Sequence, residues 1–301
     1  MPSKMQVLLR RTASTAFLWT IILAALFSGN QFLSDGVFIF LIALLALAGL
    51  VEFYGLAEKC GLVNFKISGV VGGLLLMLGT FFNVTGHLGT ANGSPSRVND
   101  FEISFLILFV LGLCVRQLFA KNNSAGITAI ATTLFGLMYV PWLLNFIQKI
   151  NFFPFPDDSP FDAGKYFLFY FILITKFSDM GGYAVGSLIG RHKLIPRISP
   201  GKTWEGFFGA VAVSTAASVA FTHFFGAQMV GMTTVHAVIL GVLLGGTAVV
   251  GDVIESLFKR EAGVKDSGKL FPGIGGILDL LDSLLFNAPL MYLYLRHVLV
   301  T

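Results

Sequence analysis

Long apolar stretches, separated by short polar segments, run along most of the chain. Each stretch has about the 20 residues that a helix needs to cross roughly 30 Å of hydrocarbon. Helices are the only plausible spanning structure, because the stretches are too long and too continuous for barrel strands. The pattern predicts about nine membrane spans, near residues 13–31, 36–57, 67–86, 101–120, 126–147, 166–189, 206–227, 232–257 and 276–299.

The composition supports this prediction. The 301 residues are 55% hydrophobic and 12% charged, and the mean hydropathy is +0.81, whereas soluble domains have about 25% charged residues. The stretch at residues 13–31 has the basic start of a signal peptide, but we interpret it as an uncleaved span, because it approaches membrane length and many spans follow. The predicted fold is therefore all-α: a polytopic integral membrane protein with a single membrane domain over residues 1–301.

The basic residues predict the orientation of the chain. With a cytoplasmic N-terminus, most of the 20 Lys and Arg residues lie on the cytoplasmic side, where positive charges usually collect. The opposite side then holds Arg97, Lys149, Lys165 and Arg296, with acids such as Glu102. A basic N-terminus without an organelle-targeting segment favours a bacterial cytoplasmic membrane.

Several ionisable residues fall at membrane depth or at helix ends, where such groups are rare and are usually functional or paired. They are Glu52, Lys176, Asp179, Asp252, Glu255, Asp279 and Asp282. Ion pairing accounts for some of them, for example Lys176 with a nearby acid. The aspartates are too many for one intramembrane base, so a metal or another cation is their natural partner.

Helical spacing brings some of these acids together. Asp279 and Asp282 are three residues apart and share a helix face. Asp252 begins an i, i+4, i+7 row on the preceding span, and Asp179 projects from a third span. Oxygen ligands from three helices suit Mg²⁺, which binds through a few carboxylates, water and substrate phosphates. We therefore expect Mg²⁺, with or without a second, monovalent cation.

Two basic loops lie next to these acids. One contains Lys259, Arg260, Lys265 and Lys269, and the other is RHKLIPRISPGKTWEG, beginning at Arg191. Such loops also serve as topology signals or as contacts for anionic lipid headgroups. Here Pro-Gly turns stand beside the bases, and backbone N–H groups at glycine-rich helix starts bind anions. Carboxylates for a metal and bases for phosphate together indicate phosphoryl or nucleotidyl transfer.

These residues resemble a known family, the phosphatidate cytidylyltransferases, also called CDP-diacylglycerol synthases. The family signature reads roughly S-x-x-K-R-x4-K-D-x5-P-G-H-G-G-x-x-D-R-x-D. It is matched here by Ser256-Leu-Phe-Lys259-Arg260, Lys265-Asp266, Pro272-Gly273-Ile274-Gly275-Gly276 and Asp279-Leu280-Leu281-Asp282-Ser283. A second element stands at residues 179–206, and the strong resemblance covers about the last 130 residues.

The resemblance implies a Mg²⁺-dependent enzyme in the membrane that converts CTP and phosphatidate into CDP-diacylglycerol and pyrophosphate. Its active site would face the cytoplasm. Residues 1–150 would supply scaffold helices and access for lipid, and residues 165–301 the catalytic helices and cytoplasmic loops. Its partners would be the two substrates and the bilayer, without nucleic acid, and a homodimer is compatible with the sequence.

The resemblance also implies roles for individual residues. The metal ligands would be Asp179, Asp252, Asp279 and Asp282. The catalytic residues would be Asp279, Asp282, Lys265 and Asp266. The substrate-binding residues would be Lys202, Lys259, Arg260, Lys269, Ser199, Thr203 and Ser256.

Two positions depart from the signature. Ile274 stands where the family usually has His, and Leu280 stands where it usually has Arg. They leave open a diverged member of the family that acts on another lipid phosphate. A cation-coupled transporter is a further alternative, because it explains the intramembrane acids, although it does not explain the basic loops or the signature.

Overall fold

The computed structural model describes residues 31–86, 95–120, 125–156, 159–160, 162–268 and 275–300, and most of them are helical. The helices are α1 (Gln31–Lys59), α2 (Lys66–Val84), α3 (Pro95–Leu118), α4 (Gly126–Leu137), α5 (Leu143–Asn151), α6 (Ala163–Ile189), α7 (Trp204–Phe225), α8 (Thr234–Glu261) and α9 (Ile277–Tyr294). A π-helical turn, Met138–Trp142, joins α4 to α5 into one long segment, and a second π-helical turn, Leu295–Leu299, extends α9.

Seven of these helical segments are long and apolar enough to cross a membrane: α1, α2, α3, the α4–α5 segment, α7, α8 and α9. The eighth, α6, is also long, but it carries Lys176 and Asp179 and is not among these seven. The all-α, polytopic membrane fold is therefore confirmed. The predicted span at residues 13–31 lies outside the described residues.

The outer surface of the helix bundle is apolar. Large hydrophobic side chains are exposed on each long helix, for example Phe32 on α1, Leu108 on α3 and Val235 on α8. Water-soluble proteins rarely expose such continuous apolar surface. This distribution fits helices that are surrounded by lipid.

Helix α9 connects the two halves of the bundle. It packs against α1 and α5 from the first half and against α6 and α8 from the second. The buried core follows the same path, with Tyr54, Leu144, Phe171 and Leu285 in one cluster. Polar groups on α9 can therefore contact residues from distant parts of the sequence.

Helices α6, α7 and α8 form the tightest group, and small residues allow this. A Cβ atom on Gly245 of α8 would lie 2.1 Å from Oγ of Ser214 on α7, and one on Gly181 of α6 would lie 2.8 Å from the carbonyl oxygen of Gly209. Only glycine permits such close backbone approach. The close packing fixes the relative positions of the polar side chains on these helices.

A short antiparallel hairpin stands between α6 and α7, where the sequence predicts a loop. Strand β1 (Lys193–Ile195) pairs with strand β2 (Ser199–Thr203). Thr203 also caps α7, because its Oγ1 accepts a hydrogen bond from the Gly206 N–H at 3.1 Å. The hairpin ends against the polar faces of α6 and α8.

Two of the charges predicted for the outer side, Glu102 and Lys149, are buried. Their side chains are only 5% and 3% exposed. They form an ion pair of 2.6 Å between α3 and α5 inside the bundle. Both residues lie near the ends of predicted spans, and tertiary packing, which periodicity does not reveal, buries them.

Candidate active site

A cavity of about 570 Å³ lies between helices α6, α7, α8, α9 and strand β2. Its wall combines acids, bases, hydroxyl groups and glycines with a few apolar side chains. Part of the predicted site lines this cavity: Asp179, Ser199, Lys202, Thr203, Asp252, Lys259, Asp279 and Asp282.

The other predicted site residues lie elsewhere. Ser256 is buried, whereas Arg260, Lys265 and Asp266 are exposed on the last turn of α8 and the segment after it, and none of the four is on the cavity wall. The Arg260 Nε donates a hydrogen bond to the carbonyl oxygen of Ile198 in the hairpin at 3.2 Å. Lys269 lies outside the described residues, as do Ile274 and the Pro-Gly turn before it.

Three carboxylates from two helices form the centre of the site. Asp252 and Glu255 on α8 and Asp282 on α9 each place one oxygen within 4.8 Å of the other two. Glu255 and Asp282 are buried, and Asp252 is partly exposed to the cavity. The sequence analysis did not assign Glu255 to the metal site, although its spacing of three from Asp252 places it on the same face. Oxygen donors of this kind suit a hard divalent cation.

Asp279 lies outside this group although it shares α9 with Asp282. Its Oδ1 accepts a hydrogen bond from Lys259 at 2.5 Å, and its Oδ2 accepts from the N–H groups of Gly276 and Ser267 at 2.8 and 3.1 Å. Because α9 begins at Ile277, Asp279 is in the first helical turn, where free N–H groups and the helix dipole favour a carboxylate. These contacts therefore indicate that Asp279 stabilises the start of α9.

Two lysines join the acids to the cavity. Lys259 forms ion pairs with Glu255 and Asp279, and Lys202 of the hairpin forms one with Asp252. Each lysine is partly exposed on the cavity wall. Their ammonium groups stand where they can contact an anion in the cavity and the carboxylates at the same time.

Asp179 occupies the α6 side of the cavity. It accepts hydrogen bonds from the Lys176 Nζ and the Ser283 Oγ, both at 3.2 Å. Lys176 also donates to the carbonyl oxygen of Leu280 at 3.1 Å, so it joins α6 to α9. The predicted pairing of Lys176 with a nearby acid is confirmed.

The first half of the chain also reaches the site. The Glu52 carboxylate on α1 accepts hydrogen bonds from Ser267 and from the N–H of Leu278. Tyr139, in the π-helical turn, is 6% exposed, and its hydroxyl has no hydrogen-bond partner among the described residues. Its ring packs against that of Phe258 on α8, with the ring centres 5.4 Å apart. Sequence periodicity gave no sign of these contacts.

Several known proteins have sequences related to this chain. The profile of the cytidylyltransferase family matches residues 10–298. The phosphatidate cytidylyltransferase of Mycobacterium tuberculosis (strain H37Rv) is 36% identical over 169 residues, which cover 56% of this chain and 48% of the relative. That of Staphylococcus saprophyticus is 32% identical over 203 residues, covering 67% and 73%. The uncharacterised protein YnbB of Escherichia coli (strain K12) is 32% identical over 209 residues, covering 66% and 65%.

The match to the mycobacterial protein and to YnbB extends over only part of their length. The aligned region spans about half of the mycobacterial protein and about two thirds of YnbB. The family profile, in contrast, covers nearly the whole chain. The resemblance inferred from the signature is thus confirmed, and the chain belongs to the cytidylyltransferase family.

Proposed function

We propose that this protein is an integral membrane phosphatidate cytidylyltransferase, which transfers the cytidylyl group of CTP to phosphatidate. The observation that carries the proposal is the cavity that joins the Asp252–Glu255–Asp282 group to Lys202 and Lys259. Such a site can bind a metal and polyphosphate side by side. The family and the named relatives supply the choice of nucleotide and lipid.

The reaction needs no external oxidant or reductant. An oxygen of the phosphatidate phosphate attacks the α-phosphorus of CTP, and the bond from this phosphorus to the bridging oxygen of the β-phosphate breaks. Pyrophosphate leaves with that electron pair, and the product is CDP-diacylglycerol. A phosphate monoester is largely ionised near neutral pH, so the attacking oxygen needs no dedicated base, which is consistent with Ile274 at the signature His position.

The residues that would hold Mg²⁺ are Asp252, Glu255 and Asp282, with Asp179 nearby on α6. When bound, Mg²⁺ supplies neutralisation of phosphate charge and alignment of the reacting groups. Lys202 and Lys259 bind the phosphates and stabilise the charge on the departing pyrophosphate. Ser199, at the start of strand β2, offers a hydroxyl on the cavity wall.

The cavity also has an apolar side for the lipid. Phe207 and Val249 line it, and Tyr183 is 80% exposed at its edge on α6. A lipid phosphate can therefore enter from the bilayer while its acyl chains remain outside. We place the opening on the cytoplasmic face of a bacterial cytoplasmic membrane, because the basic loops around it follow the positive-inside rule.

Differently labelled CTP tests this function. Purified protein in lipid nanodiscs with phosphatidate and Mg²⁺ should move label from the α-phosphate of CTP into the chloroform phase. Label from the γ-phosphate should stay in water as pyrophosphate. Transfer of the γ-label to lipid, or no transfer of either label, would overturn the proposal. Replacing phosphatidate by other lipid phosphomonoesters tests for a diverged substrate, and the Leu280→Arg variant tests whether that departure sets the preference.

A further inference from the structure

We propose that Glu52, on the first described helix, is a positioning residue that docks the segment between α8 and α9 onto the scaffold half of the molecule. This segment contains Lys265 and Asp266, and we call its described part, residues 262–268, the docked segment. The consequence for catalysis rests on the proposed function, whereas the docking itself does not.

Two hydrogen bonds carry the docking. The Glu52 Oε2 accepts from the Ser267 Oγ at 2.9 Å and from the Leu278 N–H at 2.9 Å. The partners are 215 and 226 residues away in sequence, and they lie on either side of the residues that lead into α9. One carboxylate therefore holds both the docked segment and the start of α9.

The chain leaves room for this carboxylate at two glycines. A Cβ atom on Gly268 would lie 2.0 Å from the Glu52 Oε1, and one on Gly276 would lie 2.3 Å from its Oε2. Real Cβ atoms do not approach oxygen this closely. Both glycines belong to the signature region. The structure explains why glycine stands at these positions, because a larger residue would collide with the Glu52 side chain.

Ser267 connects Glu52 to a residue of the cavity wall, Asp279. Its Oγ lies 2.9 Å from Glu52 and 3.0 Å from the Asp279 Oδ2, and its N–H donates to the same Asp279 oxygen. Asp279 in turn accepts from Lys259, which lines the cavity. A continuous series of hydrogen bonds thus runs from Glu52 through Ser267 and Asp279 to Lys259.

The charge of Glu52 suits this position. The first N–H groups of a helix have no intrahelical partner, and the helix dipole favours an anion beside them. A partly buried carboxylate in an apolar helix is costly unless it is hydrogen-bonded. The Glu52 carboxylate is hydrogen-bonded, and it lies beside the free N–H groups at the start of α9.

The test compares Glu52→Gln with the matched control Glu58→Gln. Glu58 lies on the same helix and is exposed, and the described hydrogen bond of its side chain is the one that it accepts from Asn64. Hydrogen exchange in nanodiscs should become about tenfold faster in residues 262–268 and 276–282 of Glu52→Gln, since bonds to a charged acceptor are the stronger ones. Residues 143–151 should exchange as in the wild type, and the control should show no change.

Kinetics add a second measurement. In Glu52→Gln, kcat/KM for CTP should fall about tenfold, with the melting temperature and the Mg²⁺ requirement unchanged. Ser267→Ala should reproduce both effects, and the double variant should be no worse than the more affected single variant, since the residues act as a unit.

Several results would overturn the positioning role. They are unchanged exchange in residues 262–268, an effect of Glu52→Gln that appears equally in all helices, or additive losses in the double variant. If the wild type converts no CTP, the proposed function fails, but the exchange comparison still decides whether Glu52 docks the segment.

Discussion

Two groups of buried charges occupy different halves of the bundle, and they are built in opposite ways. In the first half, Glu102 and Lys149 form one ion pair. Around it, Trp142, Asn145 and Thr80 donate hydrogen bonds to the two Glu102 oxygens at 3.1 to 3.4 Å. One acid pairs with one base, and neutral donors provide the other hydrogen bonds to the carboxylate.

The second half has more acids than bases around its cavity. Asp252, Glu255 and Asp282 lie together, and Asp279 is close by. Lys202 pairs with Asp252, whereas Lys259 is shared between Glu255 and Asp279. This group opens to a cavity, whereas the side chains of the Glu102 pair are enclosed within the bundle. Buried charge is therefore balanced in the first half, whereas in the second half an excess of acids lies beside the cavity of the proposed active site.

The largest expected effect comes from changing the acid group of the second half. Asp282→Asn should lower kcat by about a thousandfold, because it removes a carboxylate of the candidate metal group from the reaction centre. The melting temperature should not fall, since the change removes a charge from a cluster of acids. The α-phosphate label assay and a melting curve in detergent measure the two effects. Activity close to that of the wild type would contradict the assignment.

The next largest effect is on stability, with the catalytic rate unchanged. Glu102→Gln should destabilise the protein by about 3 kcal/mol, because Lys149 then remains charged and buried without an anionic partner. Its kcat below the melting transition should match that of the wild type. Unfolding in mixed micelles and the same label assay test this. A loss of kcat without a loss of stability would mean that the first-half pair serves the reaction.

Helical spacing predicted a useful part of the site. The eight described long segments lie where apolar stretches predicted spans, and the four candidate aspartates all line one cavity. Spacing also contained information about Glu255 that the sequence analysis did not use. These features depend only on local geometry along one helix, which periodicity reports directly.

Contacts between distant helices were not predictable in this way. Asp279 and Asp282 share a helix face, yet the first contacts Ser267 and Lys259 because α9 begins only two residues before it. The contact of Glu52 joins residues more than 200 positions apart. Such details depend on where a helix starts and on which neighbour packs against it.

A smaller effect separates the roles of the acids in the second half. Glu255→Gln should raise the Mg²⁺ concentration for half-maximal activity by about tenfold, since one charged oxygen donor becomes a neutral amide. Its kcat at saturating Mg²⁺ should fall less than that of Asp282→Asn, because Asp282 and Asp252 remain. Mg²⁺ titration of the label assay measures this, with Glu102→Gln as a control that should keep the wild-type requirement. An unchanged requirement in Glu255→Gln would place Glu255 outside the metal site.

The smallest change should come from removing both charges of the first-half pair. In the double variant Glu102→Gln with Lys149→Met, no unpaired charge remains, and the amide still meets the neighbouring donors and acceptors. The Lys149 side chain lies against the Phe146 ring, with its Nζ 4.5 Å from the ring centre, and methionine side chains also pack favourably against aromatic rings. Replacing a whole buried pair by uncharged groups of similar volume is often neutral. Its stability should therefore lie within about 1 kcal/mol of the wild type. A double variant as unstable as Glu102→Gln would show that the hydrogen bonds of this pair, rather than its balanced charge, stabilise the first half.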